Sequence, residues 1–354
     1  MKTIFLTFTI SNSSLTEFFL VLCNKLTTKH KVVIITDKLE PHDFYVSPDI
    51  AIYTWPSSRP TTFNDFWFLY KKVLQYKPET MISMFGAVNM FLLVGFLLRV
   101  KNRIAWSHSL FAKTNESKNL DLRKKYIFKL ATMSITNSNS TKQDLMKNFA
   151  VPEHKISVVY NAVRAGEINP DYDPNKILYV GSLHYAKGVD TLIAAMPQVI
   201  KQFPEVQLTL VGGYLHGNAI KNYREQIKNL NIENNVECVG RLSKQMVVKA
   251  FSEAYLSVVP SFLEAFGFVV IESFSVGTPV VGSDTSGIAE IIRDGKDGLL
   301  FEPGNVNELA EKIIMVLGNK NLRAEFSRNC QERFHEQFEI DTATNRLCTK
   351  INSL

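Results

Sequence analysis

Two carboxylates, Glu264 and Glu272, lie eight positions apart in the segment EAFGFVVIE and are the residues of this chain best suited to chemistry. The run just before them, YLSVVPS at residues 255–261, is apolar and bounded by proline and serine. Such a run predicts a buried strand. The apolar stretch after the Phe-Gly pair predicts a helix that carries the second carboxylate.

A strand, a short loop and a helix led by Gly267 leave an open helix N-terminus. Unpaired backbone N–H groups are then expected near Phe266, Gly267 and Phe268. These donors and the helix dipole favour an anion such as phosphate. A carboxylate does not suit phosphate, but it accepts hydrogen bonds from hydroxyl groups. A diphosphate flanked by hydroxyl-rich groups is a nucleotide sugar, and the segment predicts a site for one.

Length and composition indicate a globular protein with two domains. The chain has 354 residues, of which 45% are hydrophobic and 21% charged. Its four cysteines, Cys23, Cys238, Cys330 and Cys348, form no CxxC pair, which predicts buried thiols in a reducing, cytoplasmic compartment. The apolar opening MKTIFLTFTI is interpreted as a first buried strand, with a signal peptide as the alternative. The apolar run at 88–98 is too short to span a bilayer and is expected to be a buried core helix.

Charge is unevenly distributed along the chain. Residues 1–165 hold 22 Lys/Arg against 11 Asp/Glu, or +11, and residues 166–354 hold 18 against 23, or −5. The basic residues concentrate between Arg99 and Lys129. This asymmetry favours an anionic lipid surface as a partner of the first half, with a solvated helix face as the alternative. Nucleic acid is not expected, because no recognition motif is present.

Short apolar runs alternate with longer amphipathic segments from end to end, which predicts βαβ units and parallel sheets. Six strands are expected in each half; they begin near residues 3, 31, 80, 103, 133 and 155, and near 176, 206, 236, 255, 279 and 298. The polar, proline-containing segment 164–175 is the best linker. The predicted fold is therefore α/β, with two doubly wound domains facing each other across a cleft.

Four further positions are candidate site residues. Gly181 ends a predicted strand, and Lys187 follows in the loop, where a lysine would meet a phosphate, although loop lysines are mostly solvated. Arg241 follows another predicted strand and is a plausible wall for a nucleotide base. His108 ends the run RIAWSH, where it would donate to a substrate hydroxyl or serve only the structure.

No metal site is expected. The DYD triplet at 171–173 matches a metal-binding pattern of some sugar-transfer enzymes, but it lies in the predicted linker. The seven histidines lack zinc-ligand spacing. No cofactor is predicted, and the expected donor substrate, from which a sugar would be transferred, is a nucleotide diphosphate sugar.

In combination, five segments in this order resemble the retaining glycosyltransferases of family 4, which have the GT-B fold. The segments begin MSITNSNSTK, YVGSLHYAKG, VECVGRLS, PSFLEAFGFVVIE and SGIAEIIRDG. The E-x-F-G-x-x-x-x-E block is the most specific of them. The resemblance implies an N-terminal acceptor-side domain at 1–165 and a nucleotide-sugar domain at 166–335. It also implies that a C-terminal helix at 336–354 crosses back to the first domain.

The same resemblance implies residue roles. Glu272 would bond the ribose hydroxyls and Glu264 the hydroxyls of the donor sugar, and Lys187 would bind the diphosphate with backbone amides at Gly267 and Phe268. His108 would touch the transferred sugar. Family members retain the anomeric configuration, through a front-face route that needs no metal and no paired acid/base carboxylates. The protein would act by positioning and by stabilising the departing diphosphate.

The chain departs from the family pattern at two places. Ser182 stands where relatives commonly have an arginine on the diphosphate, so Arg241 or another basic residue would have to compensate. The first loop, TISNSSLTE, lacks the usual Gly-Gly pair. Side chains of the serines and asparagine at 11–14 would then supply hydrogen bonds in place of a close backbone approach.

The predicted function is transfer of a hexose or N-acetylhexosamine, with a UDP-sugar favoured, to a glycan or lipid-linked acceptor in cell-surface polysaccharide (for example lipopolysaccharide) biosynthesis. The enzyme is expected in the cytoplasm, with peripheral binding to the inner face of the plasma membrane. The sequence leaves two alternatives open. One is a nucleotide-sugar epimerase of the same fold, and the other is a nucleotide-sugar-binding scaffold with weak or no catalysis.

Overall fold

The structure is a computed structural model that describes residues 1–58, 60–111, 124–213 and 219–354, with residues 219–221 described by their backbone alone. The chain divides into two compact units. The first comprises Met1–Ala162 together with Ile340–Leu354, and the second comprises Val163–Glu339.

The first unit is built on a seven-stranded parallel sheet. Its strands are β1 (Lys2–Thr7), β2 (His30–Thr36), β3 (Ala51–Thr54), β4 (Thr80–Met84), β5 (Asn102–Ser107), β6 (Met133–Thr136) and β7 (Ile156–Val158). The strand order is β3-β2-β1-β4-β5-β6-β7. The order reverses beside β1, and ligands of doubly wound sheets bind at such a point, beyond the carboxyl ends of the strands.

Helices cover both faces of this sheet. Those bounded within the first unit are α1 (Ser14–Leu26), α2 (Phe63–Tyr76), α3 (Val88–Leu97) and α4 (Asn139–Phe149). The C-terminal helix of the chain, Ile340–Asn352, belongs to this unit and packs on α1. Its buried residues Ile340, Leu347 and Ile351 join the same apolar cluster as Phe18 and Leu22 of α1.

The second unit has a six-stranded parallel sheet. Its strands are β8 (Asp173–Val180), β9 (Gln207–Val211), β10 (Val236–Gly240), β11 (Ala254–Val259), β12 (Val280–Ser283) and β13 (Gly298–Phe301), in the order β10-β9-β8-β11-β12-β13. Its helices are α5 (Val189–Gln202), α6 (Ala219–Asn229), α7 (Lys244–Glu253), α8 (Phe268–Phe274), α9 (Ser286–Ile291), α10 (Val306–Leu317) and α11 (Lys320–Arg333), and α12 is the C-terminal helix Ile340–Asn352 of the first unit. The two sheets and their interleaved helices form the predicted two-domain α/β architecture.

Every strand expected from the sequence is present, and one further strand, β3, is added. That strand has four half-buried or exposed residues, AIYT, so it lacks the continuous apolar run that marks the buried strands. The linker predicted at 164–175 is shorter in the structure, because β8 begins at Asp173.

The expected core helix at 88–98 is helical from Val88 to Leu97, but it is buried on one side only. Leu93, Phe96 and Leu97 are exposed on the other side. Among the described residues, no helix combines the length and apolar composition needed to cross a bilayer.

The prediction of four buried thiols was wrong in part. Cys23 and Cys330 are buried and Cys238 and Cys348 are half-buried, all as free thiols. Burial raises the pKa of the Cys23 and Cys330 thiols, so both stay protonated at neutral pH.

Candidate functional site

The loop after β8 is fixed by hydrogen bonds to the neighbouring strand ends. The Gly181 N–H donates to the Val211 carbonyl at 3.0 Å, and the Leu183 N–H donates to the Gly213 carbonyl at 3.1 Å. The buried Tyr179 hydroxyl donates to the Ser182 carbonyl at 2.9 Å. The Ser182 hydroxyl makes no hydrogen bond within the described ranges. Hydrogen bonds therefore fix the backbone of this loop at the carboxyl edge of the sheet.

Lys187 and Glu264, 77 positions apart in the chain, form an ion pair through Nζ and Oε2. Their side chains are 29% and 20% exposed, so both are accessible to a ligand from solvent. The pair joins the loop after β8 to the loop after β11. A cation that can neutralise phosphate thus lies beside a carboxylate that can accept bonds from hydroxyls.

Backbone contacts hold the same two loops together. The Phe262 N–H donates to the Ala186 carbonyl at 3.0 Å, and the ring of Tyr185 stacks on that of Phe262 with centroids 5.4 Å apart. Gly188 has φ +65°, and a Cβ there would lie 2.0 Å from the Pro260 carbonyl oxygen. Only glycine fits this position, because a side chain would push the loops apart.

The E-x-F-G-x-x-x-x-E block forms the loop and helix predicted from its sequence. Helix α8 begins at Phe268, directly after Gly267, which has φ +110° and makes no side-chain cap. Glu272 lies one turn into this helix and is half-buried. The N–H of Gly287 donates to the Glu264 carbonyl at 2.9 Å and fixes the start of the block. Phe266 is buried and anchors the turn between the two carboxylates.

Arg241 follows β10 and extends over the end of β9. A Cβ placed on Gly213 would lie 1.9 Å from the Arg241 Nε, so the arginine side chain occupies the space beside that glycine. Gly213 in turn accepts the hydrogen bond from Leu183, the neighbour of Ser182. Arg241 is exposed and has no carboxylate partner among the residues described. Within the described part of the chain, a guanidinium without an acidic partner therefore lies against the loop that contains Ser182.

His108 lies in the first unit, at the end of β5, between aromatic rings. Its ring stacks on Trp106 with centroids 5.4 Å apart and on Phe85 at 5.4 Å, and Phe19 meets it edge-on at 5.6 Å. Both ring nitrogens are buried and have no hydrogen-bond partner in the described part of the chain. Burial lowers the pKa of His108 to about 3, so the imidazole is neutral at physiological pH and has one N–H to donate.

A cavity of about 580 Å³ opens at this edge of the first sheet, beyond the carboxyl ends of β1, β4 and β5. It is lined by Thr7, Asp37, Trp55, Phe85, Trp106 and His108, among others. A smaller cavity of about 250 Å³ adjoins it and shares Phe8, Thr9 and Phe85. Aromatic rings with a few polar groups suit a sugar, whose ring has both apolar faces and hydroxyls.

Phe85 lines both cavities and was not predicted from the sequence. It is 49% exposed and has φ +53°, a left-handed conformation that a bulky side chain rarely adopts. The residue directly follows β4, so this backbone turn aims the ring into both cavities. Such strain often accompanies function. No sequence pattern signals it, since the phenylalanine itself is an ordinary apolar residue at the end of an apolar strand.

The serines of the first loop serve largely to begin α1. The Ser13 hydroxyl accepts from the Thr16 N–H at 3.2 Å, and the Ser11 and Thr16 hydroxyls lie within 3.4 Å of each other. These groups also line the smaller cavity. Within the described ranges, no three histidine, cysteine or acidic side chains converge on a position that would hold a metal ion.

The chain matches two family models that together span most of its length. Residues 17–166 match the model "Glycosyltransferase Family 4", and residues 165–333 match "Glycosyl transferases group 1". One glycosyltransferase of Methanocaldococcus jannaschii is 32% identical over 255 residues, which cover 69% of this chain and 67% of that protein. A second from the same organism is 29% identical over 224 residues, covering 58% of this chain and 56% of the relative. The chain thus aligns with little more than half the length of that second relative.

The fold is also similar to that of solved glycosyltransferase structures. HepE of Anabaena, solved in complex with UDP, superposes with a TM-score of 0.81 over 100% of both chains at 19% sequence identity. At this identity the likeness shows the GT-B fold alone.

Proposed function

Because the chain belongs to the family 4 glycosyltransferases of the GT-B fold, we propose that it transfers a sugar from a nucleotide diphosphate donor to a glycan or lipid-linked acceptor. The observation that carries this proposal is the Lys187–Glu264 pair, which brings a phosphate-binding cation and a hydroxyl-binding carboxylate together. The donor is a hexose or N-acetylhexosamine nucleotide. UDP is favoured as its nucleotide, in keeping with the UDP that HepE binds.

Each part of the nucleotide-sugar donor is proposed to bind a group of the second unit. Lys187 releases Glu264 and binds the diphosphate, and Glu264 then accepts bonds from hydroxyls of the donor sugar. Glu272 accepts bonds from the ribose hydroxyls. Backbone N–H groups at Gly267 and Phe268 add donors to the phosphates, because the first N–H groups of a helix have no partner within it.

Arg241 supplies the positive charge that an arginine at position 182 supplies in relatives. Its guanidinium lies against Gly213, to which the loop of Ser182 is hydrogen-bonded, and no described carboxylate pairs with it. Two cations then share the charge that develops on the departing diphosphate. Preorganised charge of this kind lowers the barrier without a metal ion. The proposed reaction is accordingly metal-independent, and it retains the anomeric configuration, as the family resemblance implies.

The first unit supplies the acceptor side. The imidazole of His108 is proposed to donate a hydrogen bond to a sugar hydroxyl. Its low pKa keeps the ring uncharged at neutral pH, and the neutral ring has one N–H to donate. Phe85 and the aromatic residues of the cavity provide flat apolar surfaces for a pyranose ring. We assign the pathway as cell-surface polysaccharide synthesis and the location as the cytoplasmic face of the membrane.

A donor panel tests the proposal. Release of free nucleoside diphosphate is measured from UDP-, GDP- and ADP-sugars, with EDTA present and a membrane extract as the source of acceptor. We expect extract-dependent release from one donor, with loss of activity in Glu272→Ala. Glu311→Ala, which removes an exposed carboxylate from α10 of the same unit, is the matched control and keeps full activity.

Two other outcomes would contradict the proposal. Conversion of the donor sugar without extract indicates an epimerase, because an epimerase needs no acceptor. Binding of a donor without turnover, under every extract tried, indicates a nucleotide-sugar-binding scaffold.

A further inference from the structure

The outer sides of α2 and α3 carry large apolar side chains that the fold does not cover. Six of the sixteen large hydrophobic residues that are exposed in the described chain lie on these two helices. They are Phe63, Trp67, Leu74, Leu93, Phe96 and Leu97, and together they define the α2–α3 surface.

The exposed residues of each helix lie on one face. On α2, Phe63, Trp67 and Leu74 follow the i, i+4, i+11 spacing of a single helical stripe, while Leu69 and Val73 are buried on the opposite side. On α3, Leu93, Phe96 and Leu97 follow the i, i+3, i+4 spacing. Exposure is 72% at Phe63 and 53% at Leu97, so these side chains face solvent.

The two stripes belong to one surface. Helices α2 and α3 pack against each other, and their buried residues enter the same apolar cluster on one face of the first sheet, with Phe5 and Val33. Neighbouring helices on one sheet face turn their outer sides in the same direction. The rings of Phe63, Phe66, Trp67 and Tyr70 also contact one another along α2, with centroids 5.3–6.4 Å apart.

The charges beside this surface are basic. Lys71 lies on α2, Lys77 follows it, and Arg99 follows α3; all three are exposed and have no carboxylate partner in the described ranges. The acidic residues between 63 and 103 do not offset them. Asp65 is buried and bonded to Ser57 and Thr62, and Glu79 is paired with Lys2 and Lys101.

We propose that the α2–α3 surface is the face by which the first unit binds an anionic lipid bilayer, with Phe63, Trp67, Phe96 and Leu97 inserted at the boundary of headgroups and acyl chains. Aromatic residues favour this depth, and the flanking lysines and arginine contact anionic headgroups. The inference rests on the proposed association of the enzyme with membrane. It replaces a purely electrostatic contact with partial insertion.

The change in tryptophan fluorescence on vesicle binding reports on this surface. Of the three tryptophans, Trp55 and Trp106 are buried at 4% and 1% exposure, whereas Trp67 is 43% exposed. Vesicles of phosphatidylcholine with phosphatidylglycerol should therefore shift the Trp67 emission to the blue. Vesicles that contain brominated acyl chains should quench this emission. Trp67→Phe should remove both the blue shift and the quenching while retaining binding.

Paired substitutions separate insertion from adsorption. We expect Phe63→Ser/Phe96→Ser to weaken vesicle partition by about 10–100-fold, because two large apolar groups no longer leave water. Met246→Ser/Met315→Ser removes two comparably exposed side chains from the second unit and should leave partition unchanged. Lys71→Glu should weaken it at low salt, and Lys320→Glu, an exposed residue of the second unit, should not.

Three results would overturn the inference. The first is vesicle binding by Phe63→Ser/Phe96→Ser that equals wild type. The second is binding without quenching of Trp67. The third is a rise in mass with protein concentration, in the absence of lipid, that Phe63→Ser/Phe96→Ser abolishes; it would assign the surface to a second copy of the chain. Because no sugar is involved, these results are independent of the donor panel, and failure of sugar transfer does not alter them.

Discussion

Substitution of Arg241 by alanine tests whether this residue supplies the charge that Ser182 does not. The guanidinium is exposed and lies over Gly213, beside the loop that would receive a diphosphate. At roughly 5 Å from a phosphate, and with an effective dielectric of about 30–60 for an exposed group, its attraction is worth about 1–2 kcal/mol. Loss of this attraction corresponds to a fall of about 5–30-fold in affinity for UDP, measured by titration calorimetry.

The reverse substitution should restore what Arg241→Ala removes. The Ser182 hydroxyl makes no hydrogen bond in the described chain, so Ser182→Arg breaks none while it adds a cation to the same loop. We expect Ser182→Arg/Arg241→Ala to bind UDP within about threefold of wild type, because the variant loses a positive charge at position 241 and gains one at position 182. Added salt screens these charges and should reduce the differences in UDP affinity between the variants and wild type.

Lys201→Ala controls for net charge. Lys201 is exposed near the C-terminal end of α5, whereas the N-terminal end of that helix adjoins Lys187. Its loss should leave UDP affinity unchanged. The reasoning about Arg241 is refuted if Arg241→Ala binds UDP as tightly as wild type, or if Ser182→Arg gives no recovery in the double variant.

Three further perturbations test other parts of the site. Gly188→Ala should lower the free energy of unfolding in urea by about 2–4 kcal/mol, since it adds a clash with a backbone carbonyl to the strain of positive φ. Gly295→Ala, at φ +72° with open space around the glycine, should cost only about 1 kcal/mol, and equal losses would contradict the clash. Because burial holds the pKa of His108 at about 3, the unfolded state binds the extra proton below pH ~6.5, and stability falls as pH decreases towards 3. Between pH 7 and 5 this amounts to about 2 kcal/mol, and His108→Gln should remove that part of the slope in urea titrations. Phe85→Gly relieves the positive φ but removes the ring, so the KM for acceptor should rise about tenfold with UDP affinity unchanged. A Phe85→Leu variant that matches wild type would show that bulk suffices and that stacking is not used.

The strands were predictable because of where they lie in the fold. A strand of a parallel sheet that is covered on both faces is a continuous apolar run, as in KVVIIT or YLSVVPS, and such runs are visible in one sequence. The strand AIYT escaped prediction because it is an edge strand with half-exposed side chains. The helix at 88–97 looked like core because it is apolar all round, and only the packing reveals which of its sides is left uncovered.

The site was predictable at the level of motifs and not of contacts. The helix after Gly267 follows from its sequence, and Lys187 and Glu264 were each predicted as site residues, but their ion pair was not predicted. The contact of Gly188 with Pro260 depends on two loops meeting across the sheet, as does the placement of Arg241 over Gly213, and no local pattern encodes either. The burial of the His108 ring depends likewise on side chains from other elements.

Transfer of labelled sugar to an acceptor tests the central claim most directly. The donor selected by the panel is supplied with a radiolabelled sugar to the enzyme and membrane extract, and the label is followed into lipid-linked and polymeric fractions. We predict incorporation by wild type with the anomeric configuration of the donor, and none by Glu264→Ala. Label that appears only as free or epimerised sugar, or incorporation that persists in Glu264→Ala, would contradict the proposed site and its reaction.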